Sequence, residues 1–282
     1  MIKSKNNFRF QSIFAIIILL VVAFSTTGCS SVDSIKVKMG LKNMDFEFIK
    51  QNKVKQIVIQ NVRDQGFRFT VTDQQAIGDL YNILSTAKST NVKSTLAPDY
   101  TFEIHESNNT VQKFQYIAGI DQKGSGNLYS NNKIYIVSSR IDNDIIQSLW
   151  NIRKPKNFSS VYYDSIISVL DDYEKTADKN KEIGINLLDD VDSAKFILSS
   201  DLENFKSNLN SKYRNVELNQ NYSATYSEDM NFKTEGYKSN LYKATVVFND
   251  KKGNVQKKYY IWDNYVNSRW EMNFYTEKPA GF

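Results

Sequence analysis

The chain has 282 residues, 36 Lys and Arg against 31 Asp and Glu, one cysteine and one histidine. A single cysteine excludes an internal disulfide framework, and a single histidine without a second thiol excludes the usual zinc ligand sets. Lysines and carboxylates are interspersed with no basic block, so the sequence carries no electrostatic footprint of nucleic-acid binding.

The N-terminus reads as an export signal. Lys3, Lys5 and Arg9 precede an apolar run from Ile13 to Phe24, followed by Ser25-Thr26-Thr27-Gly28-Cys29. The run is shorter than the roughly 18–20 residues a spanning helix needs, and it has the charge and length of a cleaved signal peptide. Gly28-Cys29 with Ser30-Ser31 resembles a bacterial lipobox, although Thr26 stands where that pattern prefers Leu. The resemblance implies a diacylglyceryl thioether on Cys29 and cleavage after residue 28. Two acyl chains at one residue give stable membrane anchoring where one gives only marginal binding. Cleavage removes three cations and no acid, which takes the formal charge from +5 to +2. Export without disulfides, and the abundance of Asn, Lys, Ser and Ile, point to a Gram-positive bacterium with an AT-rich genome.

Residues 29–45 form a tether, and residues 46–152 an α+β domain. Residues 54–61 alternate as a strand, and Phe67, Phe69 and Val71 mark a second. Thr72-x-x-Gln75 has the spacing of a capping box, opening a helix with Ala76, Leu80 and Ala87 on one face. A polar loop runs to Pro98. Tyr100, Phe102 and Ile104 make a third strand, and Phe114 and Tyr116 a fourth. Leu128-Tyr129 and residues 134–137 flank an Asn131-Asn132 turn. Ser139-x-x-Asp142 predicts a cap on a last helix carrying Ile141, Ile145, Leu149 and Ile152. The chain between residues 54 and 152 resembles the YhfM-like lipoproteins of Firmicutes. The shared features are Thr70-Val71-Thr72-Asp73 before the helix, Pro98-Asp99-Tyr100 opening a strand and Lys133-Ile134-Tyr135-Ile136 before the final helix. The resemblance implies location and fold, with no activity attached.

Residues 153–157 form a linker, since Pro155 cannot continue a helix. Residues 158–282 read as helices followed by an antiparallel meander. Tyr162, Ile166, Val169 or Leu170, and Tyr173 form one stripe. Val191, Ala194, Leu198, Leu202, Phe205 and Leu209 form another, capped by Asp189 or Asp190. Tyr242, Ala244, Val246 and Phe248 alternate. Val255, Tyr259 and Ile261 then face one way, with Tyr260 and Trp262 opposite. Residues 278–282 read as a frayed tail. Helices preceding a meander that ends in Ser268-Arg269-Trp270-Glu271-Met272 resemble cystatin-like and NTF2-like domains. The expected fold class is therefore α+β, with two small domains, each an antiparallel sheet packed by helices, behind a cleaved lipoprotein signal peptide.

No catalytic constellation stands out. Glu103 and His105 share a solvated strand face. The aspartates at 142 and 144, and at 189, 190 and 192, lack the Gly and terminal Glu of a calcium loop and sit where helix caps belong. Gly124-Ser125-Gly126 is a loop without a phosphate-binding helix behind it. The expectation is no catalytic residue, no metal and no cofactor. Lipid on Cys29 would hold the chain to the membrane, and Tyr260 and Trp262 are the ligand-binding candidates. The favoured role is a non-enzymatic module binding an envelope protein or glycan. A carboxylate-pair hydrolase of cell-wall polymers and a small-ligand carrier in the C-terminal domain are the alternatives.

Overall fold

A computed structural model describes residues 36–37, 39, 41–50, 53–120, 124–130, 132–147, 153–176, 181–219 and 226–282. The export signal, Cys29, Leu149 and Ile152 lie outside the described residues. Among the described residues, no helix is long and apolar enough to cross a membrane.

The first domain is a seven-stranded sheet packed by short helices. A 3-10 helix, Met44–Ile49, enters it and buries Phe46 and Ile49. Strands β1 (Val54–Asn61) and β2 (Arg68–Val71) pair antiparallel, followed by helix α1 (Gln74–Leu84). The cap of α1 is Asp73, one residue past the expected Thr72: its carboxylate accepts the Ala76 N–H at 2.8 Å. The stretch before Pro98, expected as polar loop, holds β3 (Lys88–Thr90). Next come β4 (Tyr100–Glu106), β5 (Val111–Tyr116), β6 (Leu128–Tyr129) and β7 (Ile134–Ile136). The sheet order is β2-β1-β4-β5-β6-β7-β3. β3 escapes a periodicity reading because Lys88, Ser89 and Thr90 make an edge strand with nothing buried. Gly126 is required where it stands: a Cβ there would lie 2.1 Å from Ile134 Cγ2. The domain ends in a π-helix, Ile141–Ile146, which buries Ile141, Ile145 and Ile146 against the sheet.

The second domain opens with α2 (Phe158–Tyr173), whose apolar stripe is buried as expected. Strand β8 (Ile183–Asn186), short helix α3 (Val191–Ala194), α4 (Ser199–Lys212) and β9 (Val216–Leu218) follow. The expected single helical stripe from Val191 to Leu209 is thus split. Long strands β10 (Glu228–Lys238), β11 (Leu241–Asp250) and β12 (Val255–Val266) come next, with short β13 (Arg269–Glu271) and β14 (Phe274–Tyr275). The order is β13-β12-β11-β10-β8-β9, with β14 beside β12. Contrary to a purely antiparallel meander, β8 pairs parallel with both β10 and β9. The crossover through α4 accounts for the β8–β9 pairing, since a helix between neighbouring strands returns the chain in the same direction.

Alternation sorts β12 cleanly. Tyr259 and Ile261 are buried against the α2 side, while Tyr260 and Trp262 are half-exposed on the outer face. Val255, grouped with them by alternation, is 62% exposed, because the strand's first turn lies beyond the core. The tail is not frayed: the Phe282 ring meets Tyr260 edge-on at 5.2 Å, and Lys243 donates to the Gly281 carbonyl at 2.8 Å.

Asp142, Asp144 and Asp190, expected as caps, serve other donors. Asp190 sits at the start of α3 but makes no capping bond; its carboxylate crosses to β10, accepting the Thr234 N–H at 2.9 Å and the Thr234 hydroxyl at 2.8 Å. Asp142 accepts the Gly119 N–H at 3.0 Å, across the domain from its own helix. Asp144 pairs with Arg140 Nε at 2.8 Å on the surface. Buried aspartates satisfy distant backbone donors here because a carboxylate out of water must be bonded, and α3 is too short to compete.

Candidate functional site: the cleft between the domains

The two domains are joined by one buried polar cluster. Asp99 is fully buried at the start of β4. Its Oδ1 accepts from Arg63 Nη1 at 2.6 Å and from the Ser199 N–H at 2.8 Å; Oδ2 accepts the Ala118 N–H at 2.9 Å. Ser199 is the first residue of α4, and the N-cap position is Leu198, which has no capping oxygen. Asp99 therefore caps α4 from the other domain, placing a negative charge where the helix dipole favours one. Arg63 completes the bridge to the Ile197 carbonyl at 3.2 Å and to Ser199 Oγ at 2.5 Å.

Beside this latch lies a cleft of about 830 Å³. Its walls are three helical faces: the π-helix, the first turns of α2, and α4. Asp201, Asn204 and Asn208 lie along one side of α4 because their spacing matches the helical repeat. Tyr163 and Phe205 stack at 4.6 Å between ring centres and form the apolar floor. Exposed amides of Asn143, Gln147, Asn204 and Asn208 form the rim. A π-helix is rare and tends to occur where function requires it; this one supplies Asp142, Asn143 and Gln147.

The charges in the cleft are partly desolvated. Burial pushes the Asp142 carboxyl above its ordinary range, opposed by the Gly119 hydrogen bond. Burial also raises Asp201, opposed by a hydrogen bond from Ser159 and by Lys154. Lys154 is lowered by its own burial, with Asp201 working against that. Two polar atoms in the wall are buried without a completed hydrogen bond: the Tyr163 hydroxyl and Asp142 Oδ1. The Tyr116 hydroxyl helps hold Asp142 down but completes no bond either. Buried unpaired polar groups cost free energy, and Tyr163 and Asp142 both belong to the cleft lining.

The sequence candidates lie elsewhere. Tyr260 and Trp262 are on the outer face of the second sheet, under the tail. Glu103 holds Lys113 at 2.7 Å and stands 3.7 Å from His105 on the exposed side of β4. No group of His, Cys, Asp and Glu capable of holding a metal occurs among the described residues. The cleft was not signalled by any motif, because its lining is drawn from separate segments between Tyr100 and Asn208; the readable hint was the amide-rich face of α4.

No curated protein and no solved structure matches the chain. Residues 50–155 match the family described as YhfM protein, and the first domain is accordingly YhfM-like.

Proposed function

We propose that the protein is a lipid-anchored, extracytoplasmic binding module that holds an envelope glycan or protein segment in the cleft between its domains, without catalysis. The observation that carries the reading is the Tyr163 hydroxyl, buried without a partner on a ring that stacks with Phe205 in the cleft lining. An aromatic floor with a ring of amides and one free hydroxyl suits a ligand rich in hydroxyl or amide groups. A photo-crosslinking amino acid at Asn204, tested in intact cells, is expected to yield a reproducible adduct. The same group at Lys88, on β3 of the first domain, is expected to yield none. Identical adduct patterns at the two positions overturn the cleft as the binding site.

Anchoring rests on the Gly28-Cys29 pattern. The Cys29→Ala variant is expected to leave the membrane fraction and to accumulate uncleaved or in the medium. Fractionation like the wild type refutes lipidation at Cys29.

The hydrolase reading keeps one supporting observation. Asp142 and Asp201 line the same cleft, and burial raises both, as a general acid requires. If purified protein releases reducing ends from cell-wall glycan and Asp142→Asn abolishes the release, that reading replaces the first.

A further inference from the structure

The outer face of the second sheet carries a pattern of charge that no linear reading of the sequence displays. In the antiparallel register, Val247 stands opposite Lys258, Thr245 opposite both Lys233 and Tyr260, Lys243 opposite Trp262, and Leu241 opposite Lys238. All these side chains point away from the α2 side, since Ala244, Val246, Tyr259 and Ile261 between them are buried. Each successive outward row therefore contributes one ammonium group: Lys258, Lys233, Lys243, then Lys238. Rows on one face of a strand are two residues apart, about 7 Å, so the four charges climb over roughly 20 Å.

None of these lysines makes an ion pair among the described residues. Lys233, Lys238 and Lys258 are exposed. Lys243 lies 3.7 Å over the Trp262 ring and gives a hydrogen bond to Gly281, which is neutral. Lys278 adds a fifth cation to the same groove, and Glu235 is the acid that lines it. The five cations are all lysines, whose ammonium acts as a point charge toward phosphate. Within the Lys233 and Lys243 rows stand Tyr260 and Trp262, whose rings offer apolar contact to carbon chains.

We propose that this face binds a linear polyol-phosphate polymer, with successive phosphates on successive lysine rows and the polyol units against Tyr260 and Trp262. The site shares no residue with the cleft and does not depend on what the cleft holds. A single chain with one charge per repeat fits because the ladder is one ammonium wide. The groove of about 560 Å³ between the tail and the strands sets the course of the polymer past Lys243.

The test measures binding of purified poly(glycerol phosphate) to the full-length protein in detergent, between 50 and 200 mM salt. The triple variant Lys233→Gln, Lys238→Gln, Lys258→Gln is expected to bind at least about tenfold more weakly. Its plot of log K against log salt should flatten by about two, as loss of three phosphate contacts on a single strand predicts. Lys258→Glu alone is expected to weaken binding at least about threefold, and supplies a second, milder variant. Lys53→Gln, Lys55→Gln, Lys88→Gln together, in the first domain, should change nothing. The proposal is overturned if the triple variant binds as the wild type does. It is equally overturned if polyglutamate, single-stranded DNA or phosphatidylglycerol vesicles bind as tightly as the polymer.

Discussion

The Asp99→Ala variant is expected to lose about 3–5 kcal/mol of stability and to unfold in two transitions instead of one. The magnitude follows from what remains behind. Asp99 is fully buried and serves three donors: Arg63, the Ser199 N–H and the Ala118 N–H. Alanine leaves a guanidinium without its carboxylate and two buried amide groups without acceptors. Breaking a buried pair from one side costs about 3–5 kcal/mol for this reason, far more than the pair's net worth. For a chain of this size, that corresponds to a fall in Tm on the order of 10 °C. The second transition follows from position. Phe46 to Ile146 form one apolar core and Phe158 to Ile261 another, while the Asp99 cluster couples β4 of one domain to α4 of the other. Asp99→Asn keeps one acceptor oxygen for a backbone donor but loses the charge and turns the other acceptor into an NH2 donor, so it should fall between wild type and alanine. Denaturant unfolding followed by both far-ultraviolet circular dichroism and tryptophan fluorescence checks this, since Trp262 and Trp270 both lie on strands of the second sheet. A single transition within 0.5 kcal/mol of wild type contradicts the latch.

The latch also shows where sequence reasoning reaches its limit. Pro98-Asp99-Tyr100 was legible as the opening of a strand, because proline and the aromatic alternation are local signals. That the aspartate between them caps a helix 100 residues later was not legible, since nothing local distinguishes a buried carboxylate from a surface one. Strands β1, β4 and β12 were legible because hydrophobic side chains recur at alternate positions within each: Ile57 and Ile59, Tyr100 to Ile104, and Tyr259 and Ile261. Strand β10 escapes a periodicity reading although Met230, Phe232 and Thr234 alternate inward. Its outward face and its bulge at Thr234–Gly236 crowd the sequence with Glu, Asp and Lys. Strand β8 is buried throughout its four residues and offers no alternation to read. Both omissions fall on the parallel pairing that separates this sheet from a simple meander. The lysine ladder was lost for a related reason. Interspersed charges look neutral in one dimension, and only the register of three strands collects the cations on one face. The cleft belongs to the same class: its helical faces are individually ordinary, and their meeting is fixed by Asp99.

Asp263 leads to the other large effect, one visible only as a function of pH. It lies on β12, is 1% exposed, and faces α2. Its Oδ1 accepts the Asn273 N–H at 2.7 Å and its Oδ2 stands 2.6 Å from Ser165 Oγ. Ser165 Oγ also lies in close hydrogen-bond contact with the Val161 carbonyl. A hydroxyl has one proton, and the Val161 carbonyl can only accept. When Ser165 donates to Val161, Asp263 must carry the proton that joins it to Ser165. Burial pushes the Asp263 carboxyl in the same direction, up to about 6, with the Ser165 and Asn273 bonds opposing. The folded pKa thus exceeds the ordinary value of 3.8 in the unfolded chain. The native state holds a proton that the unfolded state releases, so this group's contribution is fully present below pH 3.8 and is lost as pH rises through about 6. A shift of about two units corresponds to about 3 kcal/mol between pH 4 and pH 7. Exposed carboxylates such as Asp45 and Asp171, held low by Lys133 and by Lys212 with Tyr213, change stability in the opposite sense. Comparing variants at each pH cancels them. Asp263→Asn retains an oxygen for Asn273 and an N–H donor for Ser165, in effect a permanently protonated mimic. The variant should therefore match wild type near pH 4 and exceed it by about 2–3 kcal/mol at pH 7. Urea unfolding at half-unit pH steps gives the difference curve directly. A flat difference across that range would show that Asp263 is ionised in the folded protein and that Ser165 donates to it instead of to Val161.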